Sequence, residues 1–293
     1  MGIRIAVVGP GAIGATVAAY LYQAGHEPLL CGHTLRENLD VRPDFGEPII
    51  VPGPVHSDPG DIAAPVELVL LAVKATQIDQ AGGWLAALCD EHTVVCVLQN
   101  GVEQVEMVQP HCPQSLVVPA IVWFPAETKP DGWVRLRGRP QLTLPDTSAF
   151  TAEVLRGAGC EITIAPDFTT AAWRKLLTNA MAGLMVLTGR RSGMFHRDDV
   201  AALSRRYLAE CVAVARAEGA KLSEATVDEI VEMFTRAPDD MGTSMLADRQ
   251  AGRPLEWDIR NGVVLRKARK HGLPAPISEV LVPLFAAASH GPG

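Results

Sequence analysis

Three glycines near the start of the chain lie between an apolar run and a helical pattern. Gly9, Gly11 and Gly14 have the spacing G-x-G-x-x-G, with a strand-like run at 5–8 before them and a helix-like stretch at 12–24 after them. In this order the glycines permit a tight bend, close approach of a pyrophosphate and close helix packing. The N-terminus of the helix then offers N–H groups and partial positive charge to the phosphates. We predict a dinucleotide-binding turn formed by Gly9, Gly11, Ala12, Ile13 and Gly14; a plain strand-turn-helix is the alternative.

The end of the second predicted strand, at 27–32, bears on which dinucleotide fits. An acidic residue at this point would hydrogen-bond the adenosine ribose of NAD, but the segment 31–36 has none. His33 and Arg36 instead favour a 2′-phosphate, and therefore NADP over NAD. The alternative is that Arg36 is an exposed loop residue.

Two further apolar runs end in polar residues. The run at 67–73 is followed by Lys74, and the run at 93–98 is followed closely by Asn100 and Gly101. Continuous apolar runs are typical of buried parallel strands, and ligands of open α/β sheets bind at the carboxyl ends of such strands. We therefore expect Lys74 and Asn100 near the cofactor. Alternatively, Lys74 is a helix-cap charge and Asn100 belongs to an ordinary turn.

Composition excludes several classes of protein. The chain has 293 residues, of which 48% are hydrophobic and 20% charged, and its net charge is -7. These values indicate a globular protein and give no support to nucleic-acid binding. We find no apolar stretch of membrane-spanning length and no room for a signal peptide, which predicts a cytoplasmic protein. Six cysteines and eight histidines lack the spacing of metal ligands, so we expect no metal site and reduced, buried cysteines.

The pattern of periodicity changes at Asp167. Before it, strand and helix patterns alternate, and Asp131-Gly132 signals a hairpin that predicts an antiparallel end to the sheet. After it, six helical stretches lie between 168 and 288. The fold class is therefore α/β, with an N-terminal Rossmann-type dinucleotide-binding domain at 1–166 and an all-helical C-terminal domain at 167–293. The cleft between two such domains is the default place for a substrate.

Polar residues recur within this helical half. Lys175, Asn179 and Gly183 are spaced by four, which places them on one face of a helix. A solvated face is the alternative, and acids such as Glu256 and Asp258 would also suit the start of a helix.

Six separated segments resemble the ketopantoate reductase family in order and spacing, from residue 1 to about residue 272. They are G9-P-G-A-I-G14, the strand ending in Lys74, Asn100-Gly101, W173-R-K-L…N179, S244-M-L…D248 and E256-W-D…N261-G262. The resemblance implies that NADPH reduces the ketone of 2-dehydropantoate to the alcohol of pantoate in the cytoplasmic route to pantothenate. The substrate would be a small 2-oxo acid, and a homodimer is one form the family suggests.

The same resemblance implies roles for single residues. Lys175 would be the general acid that protonates the ketone oxygen, which suits an ammonium near developing negative charge. Glu256 would orient this lysine and hydrogen-bond the substrate, and Asn100 would hold the substrate or the nicotinamide. The remaining residues of the predicted substrate site are Asn179, Ser244 and Asp248.

Some positions depart from the family pattern. Gly183 and Leu184 stand where asparagine and proline are common, Met241 replaces another asparagine, and His33 stands in place of an arginine. Loss of two amides predicts a less polar pocket with altered discrimination between substrates. Three hypotheses follow: a 2-dehydropantoate reductase, a reductase of a more apolar 2-oxo acid, and a dinucleotide-binding sensor without catalysis.

Overall fold

The structure is a computed structural model that describes residues 2–289. It divides into two compact units between Phe168 and Thr169. No helix in the described range is both long and apolar enough to cross a membrane.

The first unit alternates strands with helices. Its strands are β1 Ile5–Val8, β2 Leu29–Cys31, β3 Asn38–Pro43, β4 Ile49–Pro52, β5 Val55–His56, β6 Leu68–Leu71, β7 Val94–Val97, β8 Leu116–Pro119, β9 Ile121–Val122, β10 Ala126–Thr128, β11 Val134–Leu136, β12 Gln141–Pro145 and β13 Glu161–Ala165. Its helices are α1 Ala12–Gln23, α2 Ile78–Leu88, α3 Gln104–Val108 and α4 Ala149–Gly157.

The main sheet is parallel and carries the glycine turn. Its order is β5-β2-β1-β6-β7-β8, and every neighbouring pair is parallel. All residues of β1 and β6 are buried, as expected for strands covered on both faces. The predicted parallel α/β domain is confirmed.

The prediction that this sheet ends in antiparallel strands is wrong. The hairpin around Gly132 does form, between β10 and β11, but β11 also pairs in parallel with β3. The later strands thus belong to two smaller sheets, with orders β10-β11-β3-β4 and β13-β12-β9. A turn signal fixes the pairing of its own two strands and not the sheet that they join. Helix α1 contacts β3, β4, β10 and β11 as well as β1, so the smaller sheet adds to the same core.

The second unit is helical, as predicted. Its helices are α5 Phe168–Thr188, α6 Asp198–Ala217, α7 Ala225–Thr235, α8 Ser244–Gln250, α9 Val263–Lys270 and α10 Pro276–Ser289. The stretch predicted as one helix at 255–270 instead contains a π-helical turn, Asp258–Gly262, before α9. Within this turn the Asn261 side chain is fully buried and donates to the Ala180 carbonyl of α5 (3.1 Å) and to the Tyr207 hydroxyl (3.0 Å). Such turns are frequent at functional sites.

Candidate active site

The glycine turn joins β1 to α1, and at Gly9 and Gly14 its contacts leave no room for a side chain. Gly9 has a φ of 85° and its N–H donates to the Cys31 carbonyl at 2.8 Å. A Cβ added to Gly14 would lie 2.3 Å from the Gly9 carbonyl oxygen and 3.0 Å from the Cβ of Ala72. The third glycine is therefore required for the helix to pack against the turn.

The space in front of the turn suits a pyrophosphate. A Cβ added to Gly11 would meet no atom within 4 Å, so the N-terminus of α1 opens onto free space. Gly11 is the N-cap of α1 and has no side chain to occupy the first N–H groups, which belong to residues such as Ala12 and Ile13. A phosphate placed there would accept these hydrogen bonds at the positive end of the helix dipole. The residues present therefore fit the dinucleotide predicted from the sequence.

A buried glutamine connects the ends of the two strands that carry Lys74 and Asn100. Gln99 is 5% exposed, and its Nε2 donates to the Val73 carbonyl at 2.8 Å. Gln104 in turn donates to the Gln99 carbonyl at 3.1 Å and to the Gly101 carbonyl at 2.9 Å. Lys74 and Asn100 themselves are half-buried. The sequence interpretation missed the role of Gln99, although an amide at the end of a buried strand is the signal that would have revealed it.

His33 and Arg36, which are predicted to contact the adenosine end of the cofactor, follow β2 in the chain. His33 is exposed and Arg36 is half-buried. Arg36 lines an open polar groove of about 480 Å³ together with Asn38, Asp40, Arg42, Asp131, Gly132 and Trp133. The Arg42 guanidinium is held by Asp40 at 2.6 Å and lies 4.7 Å from the centre of the Trp133 ring.

The predicted face of α5 is sheltered from solvent. Lys175 and Asn179 are half-buried and Gly183 is buried, so a fully solvated face is excluded. Burial, and after it the nearby Arg260 guanidinium, lower the pKa of Lys175 to about 8. A lysine with a pKa near neutrality is suited to proton transfer at working pH. Perturbed pKa values cluster at functional sites, because catalytic groups need a pKa matched to their task.

The predicted partner of this lysine, Glu256, forms an ion pair with an arginine that the sequence interpretation missed. Arg260 Nη2 lies 3.0 Å from Glu256 Oε2, and the side chains are 6% and 11% exposed. Arg260 Nε is buried and has no hydrogen-bond partner in the described structure. The spacing of four between Glu256 and Arg260 was visible in the sequence, but a surface pair is the usual meaning of that spacing.

Ser244 and Asp248 both lie on α8. Ser244 is the first residue of α8 and is exposed. Thr243 caps the helix by accepting a hydrogen bond from the Leu246 N–H at 3.2 Å. Asp248 is buried, and its Oδ1 accepts from Arg253 Nε at 2.7 Å. Asp248 therefore has a structural contact, while substrate binding by these two residues stays a prediction.

Gly183 is a packing position. A Cβ at this residue would lie 2.9 Å from Asn261 Nδ2 and 2.9 Å from Phe285 Cζ, and both of these side chains are fully buried. An asparagine at 183 therefore has no room here. The departure at 183 follows from close packing of the π-helical turn and α10 against α5, and is not evidence for a less polar pocket.

Among the described residues, neither unit holds a cluster of side chains arranged to bind a metal.

A parallel sheet with a glycine turn, followed by a helical unit with a sheltered lysine, defines a dinucleotide-dependent dehydrogenase of two domains.

Comparison with known proteins gives the family. The model of "Ketopantoate reductase PanE/ApbA" matches residues 5–149, and that of its C-terminal part matches residues 167–289. The chain belongs to the ketopantoate reductase family. It is 67% identical to a 2-dehydropantoate 2-reductase of Mycobacterium tuberculosis (strain ATCC 25618 / H37Rv), over 100% of both chains. A 2-dehydropantoate 2-reductase of Caulobacter vibrioides is 36% identical, over 97% of this chain and 99% of the relative. The solved dimeric ketopantoate reductase of Staphylococcus aureus has a TM-score of 0.87 at 29% identity, covering 98% of this chain and 99% of that one.

Proposed function

We propose that this chain reduces 2-dehydropantoate to pantoate, with NADPH as the source of hydride and Lys175 as the proton donor. Full-length identity of 67% to a 2-dehydropantoate 2-reductase supports the activity. The observation that carries the proton-donor assignment is the sheltered ammonium of Lys175, whose pKa lies at about 8. The glycine turn supports the assignment of a dinucleotide cofactor, because the N–H groups at the open N-terminus of α1 fit a pyrophosphate.

The reaction requires the protein to position the substrate and to supply positive charge near the ketone oxygen. A bound reduced nicotinamide supplies a hydride to the ketone carbon, and negative charge then develops on the ketone oxygen. The Lys175 ammonium stabilises this charge and transfers its proton to the oxygen. Asn100, Asn179 and Ser244 are proposed to hold the substrate or the nicotinamide, and Lys74 is proposed to lie near the cofactor.

A substrate panel tests this function. NADPH consumption is followed with 2-dehydropantoate and with other 2-oxo acids that carry apolar side chains. We expect clear preference for 2-dehydropantoate. Preference for an apolar acid would instead favour the second hypothesis, a reductase of a more apolar 2-oxo acid. That hypothesis depends on Met241, a half-buried residue at a position where asparagine is common in the family. Cofactor binding without turnover of any 2-oxo acid would reject an enzyme and leave a dinucleotide sensor.

The choice of NADPH over NADH is proposed to depend on Arg36. Arg36→Ala is expected to raise KM for NADPH roughly tenfold, because a charge-assisted hydrogen bond to the 2′-phosphate is lost, and to change KM for NADH little. Steady-state kinetics with both cofactors measures this. Arg42→Ala is the matched control, since its guanidinium in the same groove is already held by Asp40 and Trp133. Equal effects on both cofactors would contradict the assignment.

The comparisons also bear on assembly and location. The S. aureus neighbour is described as dimeric, which supports a homodimer for this chain, and light scattering on the purified protein tests it. We also propose a cytoplasmic location, consistent with a biosynthetic role.

A further inference from the structure

The proposed substrate carries a carboxylate, and the residues assigned so far supply no cation for it. Lys175 is proposed to serve the ketone oxygen, and the other proposed substrate residues are amides, a hydroxyl and acids. Arg260 is already paired with Glu256 at 3.0 Å. Arg253 is paired with Asp248 at 2.7 Å. A guanidinium suits a carboxylate best, because it donates two parallel hydrogen bonds, so a different arginine would be expected to bind this group.

Arg191 lies beside the segment that leads into α8. It follows α5 in the chain, and its Nη1 donates to the Asp240 carbonyl at 2.8 Å. A Cβ added to Gly242 would lie 3.0 Å from the same Nη1 atom. The guanidinium is therefore held against the backbone at 240–242, and the glycine at 242 leaves the space for this close approach.

Hydrogen bonds fix the two segments against each other. The Ser192 N–H donates to the Met241 carbonyl at 3.0 Å, and the Gly193 N–H donates to the Asp239 carbonyl at 3.0 Å. The buried Ser192 hydroxyl adds a third bond to the same loop. Arg191 is thus positioned before any ligand binds, unlike an ordinary surface arginine. Less side-chain entropy is then lost on binding, which favours affinity.

The charge of Arg191 is available to an anion. In the part of the chain that the structure describes, its guanidinium has no carboxylate partner. Asp240 contacts it through the backbone carbonyl, and the carboxylate of Asp239 is instead 3.1 Å from His196 Nε2. Because Arg191 is also exposed, a small anionic ligand can reach its positive charge.

Ser244 offers a second donor next to this charge. It is exposed, and its hydroxyl has no hydrogen-bond partner among the described residues. It lies two residues beyond Gly242, and two residues of chain span at most about 7 Å. One carboxylate can bridge such a separation by accepting from the Arg191 guanidinium on one side and from this hydroxyl on the other.

We propose that Arg191 binds the carboxylate of the 2-oxo acid substrate, with the Ser244 hydroxyl as a second donor, and so selects acids over neutral ketones. The proposal deepens the proposed function and rests on it, because the reaction and the other substrate residues are those proposed above. It also bears on Met241, since a guanidinium beside this residue supplies a donor where the amide common in the family is missing.

Steady-state kinetics of the full-length enzyme tests this assignment. Arg191→Gln is expected to raise KM for 2-dehydropantoate about ten- to a hundredfold, the usual effect of losing a hydrogen bond between charged groups, and to change kcat and KM for NADPH little. Arg191→Lys keeps the charge without the planar fork and should have an intermediate KM. Arg190→Gln removes the same charge from the adjacent exposed position and is the matched control. An unchanged KM in Arg191→Gln, or an equal rise in Arg190→Gln, would overturn the proposal.

Binding of the product distinguishes recognition of the carboxylate from a structural role. Calorimetry measures the Kd of pantoate, and of its neutral lactone, for the full-length protein in the presence of NADP⁺, and circular dichroism checks that each variant is folded. In Arg191→Gln the Kd of pantoate should rise by a factor similar to that of KM, whereas the Kd of the lactone, which lacks a carboxylate, should change little. Weakening of both ligands in proportion would show a structural role and overturn the proposal. Failure of the proposed function is a different result, because the original protein itself would then not turn over 2-dehydropantoate.

Discussion

Lys175→Ala is expected to lower kcat roughly 10²- to 10⁴-fold, the usual contribution of a positioned general acid. The variant loses both the proton and the positive charge that stabilises the developing oxyanion. Steady-state kinetics with saturating NADPH and 2-dehydropantoate measures the effect. Binding of NADPH, followed by its fluorescence, should change much less, because the glycine turn rather than Lys175 is proposed to hold the pyrophosphate.

The next residue along α5 supplies the control. Arg174 is half exposed and forms a surface ion pair with Glu229 at 2.7 Å. Such pairs contribute about 1 kcal/mol or less to stability, so Arg174→Ala should retain its kcat. A near-normal kcat in Lys175→Ala, or an equal loss in Arg174→Ala, would count against Lys175 as the proton donor.

Gly183→Asn is expected to destabilise the protein, although it restores the residue common in the family. The added side chain would overlap Asn261 and Phe285, which are fully buried, and Asn261 is fixed by two hydrogen bonds. Overpacking of this kind costs about 1–3 kcal/mol, which corresponds to a fall in Tm of roughly 2–5 °C for a chain of this length. Thermal denaturation followed by circular dichroism measures it.

Gly157→Asn is the matched control for this substitution. Gly157 is the last residue of α4, is exposed, and has no atom within 4 Å of an added Cβ. Its replacement should change Tm little. If Gly183→Asn were as stable as the original protein and gained activity, Gly183 would be an open position of the pocket and the packing argument would fail.

The sequence predicted the glycine turn and most helices because their signals are local. Gly9 and Gly14 adopt their roles through contacts within the strand, turn and helix that the motif itself defines. Helix α5 spans 168–188 as predicted, since its apolar periodicity is uninterrupted.

Non-local features were not predictable in the same way. The sheet that β11 joins depends on β3, almost a hundred residues earlier in the chain, and no turn residue encodes that choice. The π-helical turn depends on Asn261 reaching Ala180 and Tyr207, which lie on other helices. Arg260 was overlooked for a related reason, because periodicity does not tell a surface pair from a buried one.

Gln99 has one more consequence. By joining the ends of β6 and β7 through its own side chain, it removes freedom from the segment that carries Lys74 and Asn100 before any ligand arrives. Less conformational entropy then remains to be lost on association, so more of the intrinsic attraction is retained as affinity. The Gln99 amide, which has no proposed contact with the substrate or the cofactor, would thereby raise the affinity of the first unit for its dinucleotide.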